Sequence, residues 1–74
     1  MPLIDVKVIE GVFTPAQREQ ILERLTDAMV SIEGGNMRPV TWCVIGEVNS
    51  GDSGIDGRPL TTAAVKALAV GAPA

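Results

Sequence analysis

An α/β fold, a single β-α-β unit with a two-stranded parallel sheet, is predicted by three stretches of this 74-residue chain. Residues 3 to 9 alternate with a period of two, as a strand does. After them comes a run with apolar residues at helical spacing, and then a segment from about Val40 to Glu47 that is apolar on both faces. A helical crossover of that length permits parallel pairing, and such connections are right-handed.

In the first strand Ile4, Val6 and Val8 share one face, while Leu3, Asp5, Lys7 and Ile9 share the other. Gly11 breaks the run. Thr14-Pro15-Ala16-Gln17 then reads as a helix start: Thr14 caps, Pro15 suits the first helical position, and Gln17 stands where a capping box places its amide. Ile21, Leu25, Ala28, Met29 and Ile32 form the apolar stripe of about five turns, which Gly34-Gly35 ends. In the second strand Val40, Trp42 and Val44 alternate with Cys43 and Ile45, a pattern that suits a strand covered from both sides. Asn49-Ser50-Gly51-Asp52-Ser53-Gly54 and Asp56-Gly57 are dense turn signals, so 49 to 60 reads as a C-terminal hairpin arm. Thr61 or Thr62 caps a short helix through about Ala69, and Gly71 to Ala74 reads as a frayed end. The whole of 1–74 is one domain, with about 61–74 as an extension.

Composition sets bounds on partners. A chain this short buries only about 60% of the surface its unfolded form exposes, so a private core is marginal. Yet 46% of the residues are hydrophobic, and the mean hydropathy is +0.27. The helix covers one face of a two-stranded sheet, which leaves the other for a second subunit; a homo-oligomer, at least a dimer, is therefore expected. No apolar run approaches the length of a membrane span, and no secretory signal is apparent. A net charge of −3, one Trp and one Phe, with no basic stripe, argue against nucleic acid. The single Cys43 forms no internal disulfide, and the chain has no His for a Cys/His metal set, so a protein of the reducing cytoplasm without such a metal site is the expectation.

One residue at the start of the first strand carries a candidate chemistry. If Met1 is removed, Pro2 presents a secondary amine, whose ordinary α-amino range of about 7.7–8.0 lets it act as a base near neutral pH. The bland alternative is that proline starts a strand where its missing N–H costs nothing.

The ordered set Met1-Pro2-Leu3-Ile4, Ile9-Glu10-Gly11, Thr14-Pro15-Ala16-Gln17, Val44-Ile45-Gly46-Glu47-Val48 and Gly54-Ile55-Asp56-Gly57 resembles the tautomerase superfamily, in particular its short 4-oxalocrotonate tautomerase-like chains. The resemblance spans roughly residues 2 to 60. It implies a β-α-β protomer assembled into dimers and hexamers (a trimer of dimers), with an amino-terminal proline as cofactor-free general base. The substrate class it implies is a small carbonyl compound undergoing keto–enol proton transfer. Hydration or dehalogenation of an unsaturated acid on the same fold, and a non-catalytic binding or assembly module, are the alternatives.

The chain departs from its best-studied relatives at three places. They carry an arginine just after the Glu-Gly that ends the first strand, where this chain has Val12; a second arginine opens their second strand, where it has Trp42; and their hairpin aromatic aligns with Ser53. Candidate substrate-binding residues are therefore Arg38, Trp42 and Arg58. Arg38, just before Pro39, can grip a carboxylate in a bidentate fork, with a solvated charge as its alternative. Trp42 either walls the pocket beside Pro2 or fills a core or interface. Arg58, in the arm, is a weaker candidate of Arg38's kind, and Lys7 is expected on a solvated face. Asn36 and Thr41 are possible donors to a carbonyl oxygen, with turn and strand-edge roles as their alternatives. Glu10 and Glu47 end the two strands and are placed to pair if those ends meet. Asp52 and Asp56 read as turn formers, and Cys43 as a strand residue rather than a nucleophile.

Overall fold

The structure, a computed structural model, describes residues 2–71. Met1 and the last three residues of the expected frayed end, 72–74, lie outside the described residues. Element order is β1 (Leu3–Ile9), α1 (Pro15–Glu33), a 3-10 helix (Gly35–Val40), β2 (Trp42–Val48), β3 (Ser53–Ile55), β4 (Arg58–Leu60) and α2 (Thr62–Ala69). β1 and β2 are parallel, with Leu3 opposite Trp42 and Ile9 opposite Val48. The expected β-α-β unit with its hairpin arm is present.

Local chemistry explains the helix ends. The amide of Gln17 donates to Thr14 Oγ1 at 3.1 Å, and the amide of Thr14 donates to Gln17 Oε1 at 2.9 Å, a complete capping box. At the other end Gly34 takes φ 102°, a conformation open to glycine, and its amide donates to Val30 O at 2.8 Å. α1 therefore spans 19 residues and returns the chain to the end of the sheet where β1 began.

The second strand starts later than its apolar pattern suggests. Val40 ends the 3-10 helix, where the amides of Met37 and Thr41 donate to Gly34 O and Arg38 O at 3.1 and 3.2 Å. Pro39 has no N–H to give a strand ladder, so the segment closes short-range turns until Trp42.

The apolar stripe of α1 is wider than two strands can cover. Strands lie ~4.8 Å apart, while a helix with its side chains is about 10 Å across. Arg18, Leu22, Leu25, Thr26, Met29 and Glu33 are half-buried on the sheet side, whereas Ala28 and Ile32 of the expected core stripe are exposed, Ile32 at 84%. On the far face of the sheet Leu3 and Trp42 are each 56% exposed. Among the described residues none is fully buried. The radius of gyration is 15.0 Å, against about 11 Å for an ordinary domain of this length. The accessible surface of 5315 Å² likewise exceeds by about 1,000 Å² what a monomer of this mass exposes. Apolar surface on both sides of the unit is available to other chains.

The hairpin turns through Asp56 and Gly57, both at positive φ (54° and 74°), the Asp-Gly signature of a two-residue turn. α2 is capped by Thr61, whose Oγ1 accepts from the amide of Ala64 at 3.1 Å. Thr62 ties it to the rest of the chain: its hydroxyl donates to Glu10 O at 2.6 Å, and its amide donates to Ser50 Oγ at 3.0 Å. No described helix is long and apolar enough to cross a membrane.

Candidate active site

Pro2 stands at the leading edge of the sheet. It is half-buried, and its carbonyl accepts from the amide of Trp42 at 3.1 Å, one rung before the Leu3–Trp42 pair. Continuing that register sets Pro2 opposite Thr41, on the side of the sheet that α1 covers. A shallow recess of about 370 Å³ is lined by Pro39, Val40, Thr41 and Trp42, the segment that the Trp42 amide ties to Pro2. The 3-10 helix and the start of β2 thus flank the proline, and the C-terminal end of α1 lies over Thr41, whose hydroxyl donates to Glu33.

Trp42 points to the other face of the sheet, alongside Leu3 and Asp5, because successive strand residues alternate. Arg38 lies within the 3-10 helix at this end, and its guanidinium pairs with Asp27 of α1. Arg58 opens β4 and is in no ion pair among the described residues. The base of its hairpin attaches at the Val48 end of the sheet, seven strand residues from Pro2, which at ~3.3 Å per residue is about 23 Å. Within one protomer, then, the fold brings Pro2, Thr41 and Trp42 together with Arg38 nearby, and places the base of Arg58's arm at the opposite end.

The other candidates are accounted for by local contacts. Glu10 and Glu47 do not pair with each other: Glu47 is held by Arg18 of α1, and Glu10 Oε1 accepts from the amide of Ser50 at 3.1 Å. The register explains this, since Glu47 faces Val8 and points to the helix side. Lys7 Nζ lies 3.6 Å from Asp5 Oδ2 on the exposed face. Cys43 is a free, half-buried thiol. No group of metal-ligating side chains occurs among the described residues.

One residue near Pro2 was not singled out from the sequence. Glu33, the last residue of α1, accepts from Thr41 Oγ1 at 2.8 Å through Oε2, while its Oε1 is buried without a hydrogen-bond partner among the described residues. A signal was present: a carboxylate directly before Gly34-Gly35 sits at the helix end where the dipole disfavours negative charge.

These features form an open β-α-β unit with exposed apolar side chains on both the helix and the sheet and a proline at the sheet's leading edge. The chain belongs to the Tautomerase family, described as tautomerase enzyme, whose family model matches residues 2–68. Among solved structures it is similar to DmpI from Helicobacter pylori, with 29% identity over 80% of this chain and 90% of that one and a TM-score of 0.68. It is also similar to apo unfused 4-OT, with 26% identity over 86% of this chain and 98% of that one and a TM-score of 0.70. None of the curated proteins is close enough to count as a match.

Proposed function

We propose that the protein is a cofactor-independent tautomerase that moves a proton on a small carbonyl compound, with Pro2, freed of Met1, as general base. The observation that carries this reading is the proline at the leading edge of β1 in a chain of the Tautomerase family. A neutral secondary amine takes a proton from the carbon next to the carbonyl, or from the hydroxyl of an enol substrate, and the resulting ammonium returns it to the enolate or dienolate so formed, at another carbon or at the oxygen. The enolate oxygen needs a donor or cation, and since the Thr41 hydroxyl and the amides of Thr41 and Trp42 already donate within the chain, that role falls to an arginine of the substrate-binding set. The two arginine positions of the relatives hold Val12 and Trp42, so a dicarboxylate is not the preferred substrate. Arg38, Trp42 and Arg58 are the side chains proposed to bind substrate, Arg58 reaching the site of a neighbouring copy.

The working protein is a homo-oligomer of the cytoplasm, a hexamer built as a trimer of dimers, without nucleic-acid or membrane partners. Apolar faces on both the helix and the sheet support such an assembly, since obligate interfaces resemble a domain core cut in half.

The test is activity of the processed protein on a generic enol such as phenylenolpyruvate, after mass measurement has shown that Met1 is gone. Pro2→Ala should lower the rate by about two to four orders of magnitude, the scale of a positioned base. Equal rates for the two proteins, or a native mass that retains Met1, would overturn the reading.

A further inference from the structure

We propose that Glu33 is a positioning residue for Pro2: its carboxylate compensates the charge of the ammonium that Pro2 carries after taking a proton. The inference rests on the proline-base reading above and assigns a role within the same site.

Three independent observations converge on it. Glu33 Oε1 is buried and has no partner among the described residues, although a buried polar group without a hydrogen bond is costly. Among the described residues the only hydrogen bond to the carboxyl goes to Oε2, from Thr41 at 2.8 Å. Thr41 cannot satisfy the group alone, since its hydroxyl carries one proton and also lies 2.8 Å from Met37 O.

The second observation is position along the helix. A carboxylate on the last residue of α1 opposes the helix dipole, and the last turn contains no basic residue to offset it. Both the side chain and the terminal carbonyls of α1 therefore present negative charge at one place. Such an end calls for a cation.

The third observation is what lies beneath that end. Thr41 is bonded to Glu33 and stands opposite Pro2 in the continued β1–β2 register, one strand spacing (~4.8 Å) away on the same side of the sheet. An amine at Pro2 is thus within one side chain's reach of the carboxyl. The charged and titratable groups on the packed elements do not compete for this role. On α1 and the 3-10 helix Asp27 and Arg38 are paired with each other; on β2 Cys43 faces the helix one rung further on; on β1 Asp5 and Lys7 are on the opposite face.

In the catalytic cycle the carbon–hydrogen electron pair passes to the enolate and the proton to Pro2 nitrogen; the ammonium then gives that proton back. Glu33 neither takes nor gives a proton in this sequence. It lowers the energy of the ammonium and orients its N–H.

The decisive experiment is titration of the Pro2 nitrogen by NMR in Met1-free protein without substrate, in parallel with the pH–rate profile. Glu33→Gln should move the titration, and the acid limb of the profile with it, to lower pH by about one unit, because an opposite charge at this range favours the charged amine by that much or more. Thr41→Val should move both to higher pH, because a carboxylate relieved of its neutral donor acts more strongly on the amine. General loosening of the strand ends would shift both variants in one direction, so opposite signs are the signature of the pair. If Glu33→Gln fails to fold, Thr41→Val alone decides: an upward shift supports the pair. An unmoved titration in either folded variant, or shifts of the same sign, overturns the proposal. A Pro2 titration that depends on Glu33 in a protein inactive on enols would leave the pair standing and refute the proline-base reading instead.

Discussion

The amide of Trp42 donates to the carbonyl of Pro2 at 3.1 Å, so the sole tryptophan and the candidate base are locked into the first rung of the same ladder. Alternation along β2 then sends the two neighbours of that rung to different places: Thr41 to the helix side with Glu33, and Trp42 to the open face with Leu3. The base is fixed by backbone geometry while its surroundings are set by two surfaces, one covered within the protomer and one available to another copy.

That arrangement makes Trp42 a reporter of assembly. At 56% exposure in the protomer its indole would emit like a solvated tryptophan, and burial in an oligomer should shift the emission to shorter wavelength. Dilution series followed by fluorescence and sedimentation should show emission and mass changing together. A stable, folded monomer at low micromolar concentration would contradict the proposed assembly.

Ile32 tests the helix side of the same question. A residue 84% exposed tolerates most substitutions within about 0.5 kcal/mol if it stays in solvent. If it packs against another subunit, Ile32→Asp buries a charge in an apolar interface. Sedimentation should then show the dissociation constant raised by more than tenfold, with far-UV circular dichroism of the variant reporting whether the helix persists.

Arg38 offers a choice between two partners. Its guanidinium is held by Asp27, and a substrate carboxylate would have to share it. If Arg38 binds substrate, Arg38→Ala should raise KM for acidic enols by an amount equivalent to about 1.5–3 kcal/mol, the range for a lost charge-assisted hydrogen bond, and leave a neutral carbonyl compound nearly unaffected. Arg58→Ala, made in parallel, shows whether the arm contributes a cation of its own. Equal and small effects on both substrate types would assign Arg38 to the Asp27 pair alone.

Thr14 probes how far local signals stabilise the fold. Both halves of the capping box run through it, so Thr14→Ala removes the acceptor for the Gln17 amide at the start of α1. A loss of about 1 kcal/mol is expected, read as a lowered denaturation midpoint at fixed protein concentration. A change within error would mean that packing of α1 between subunits outweighs its cap.

Periodicity and turn chemistry were enough to read the β-α-β unit, its capped helix and its hairpin arm, because alternation in β1, the Thr14-Pro15-Ala16-Gln17 start and the Asp56-Gly57 turn are each set by neighbours a few residues apart in the chain. The reading went astray where a distant or geometric constraint intervened. Val40 fits a strand pattern but is claimed by a 3-10 helix whose Pro39 cannot join a ladder, and Ile32 fits a core stripe but overhangs a sheet two strands wide. Glu10 and Glu47 were legible as strand ends, yet parallel register set Glu47 opposite Val8 and within reach of Arg18. Pro2 was visible as a candidate from its place in the chain and from resemblance. The bond between Glu33 and Thr41, the residue opposite Pro2 in the continued register, depends on a helix returning antiparallel to the strand it covers, and no local pattern records where that return ends. Short-range order is written in residue spacing; the company a residue keeps across the fold is fixed by register, helix length and width of the sheet.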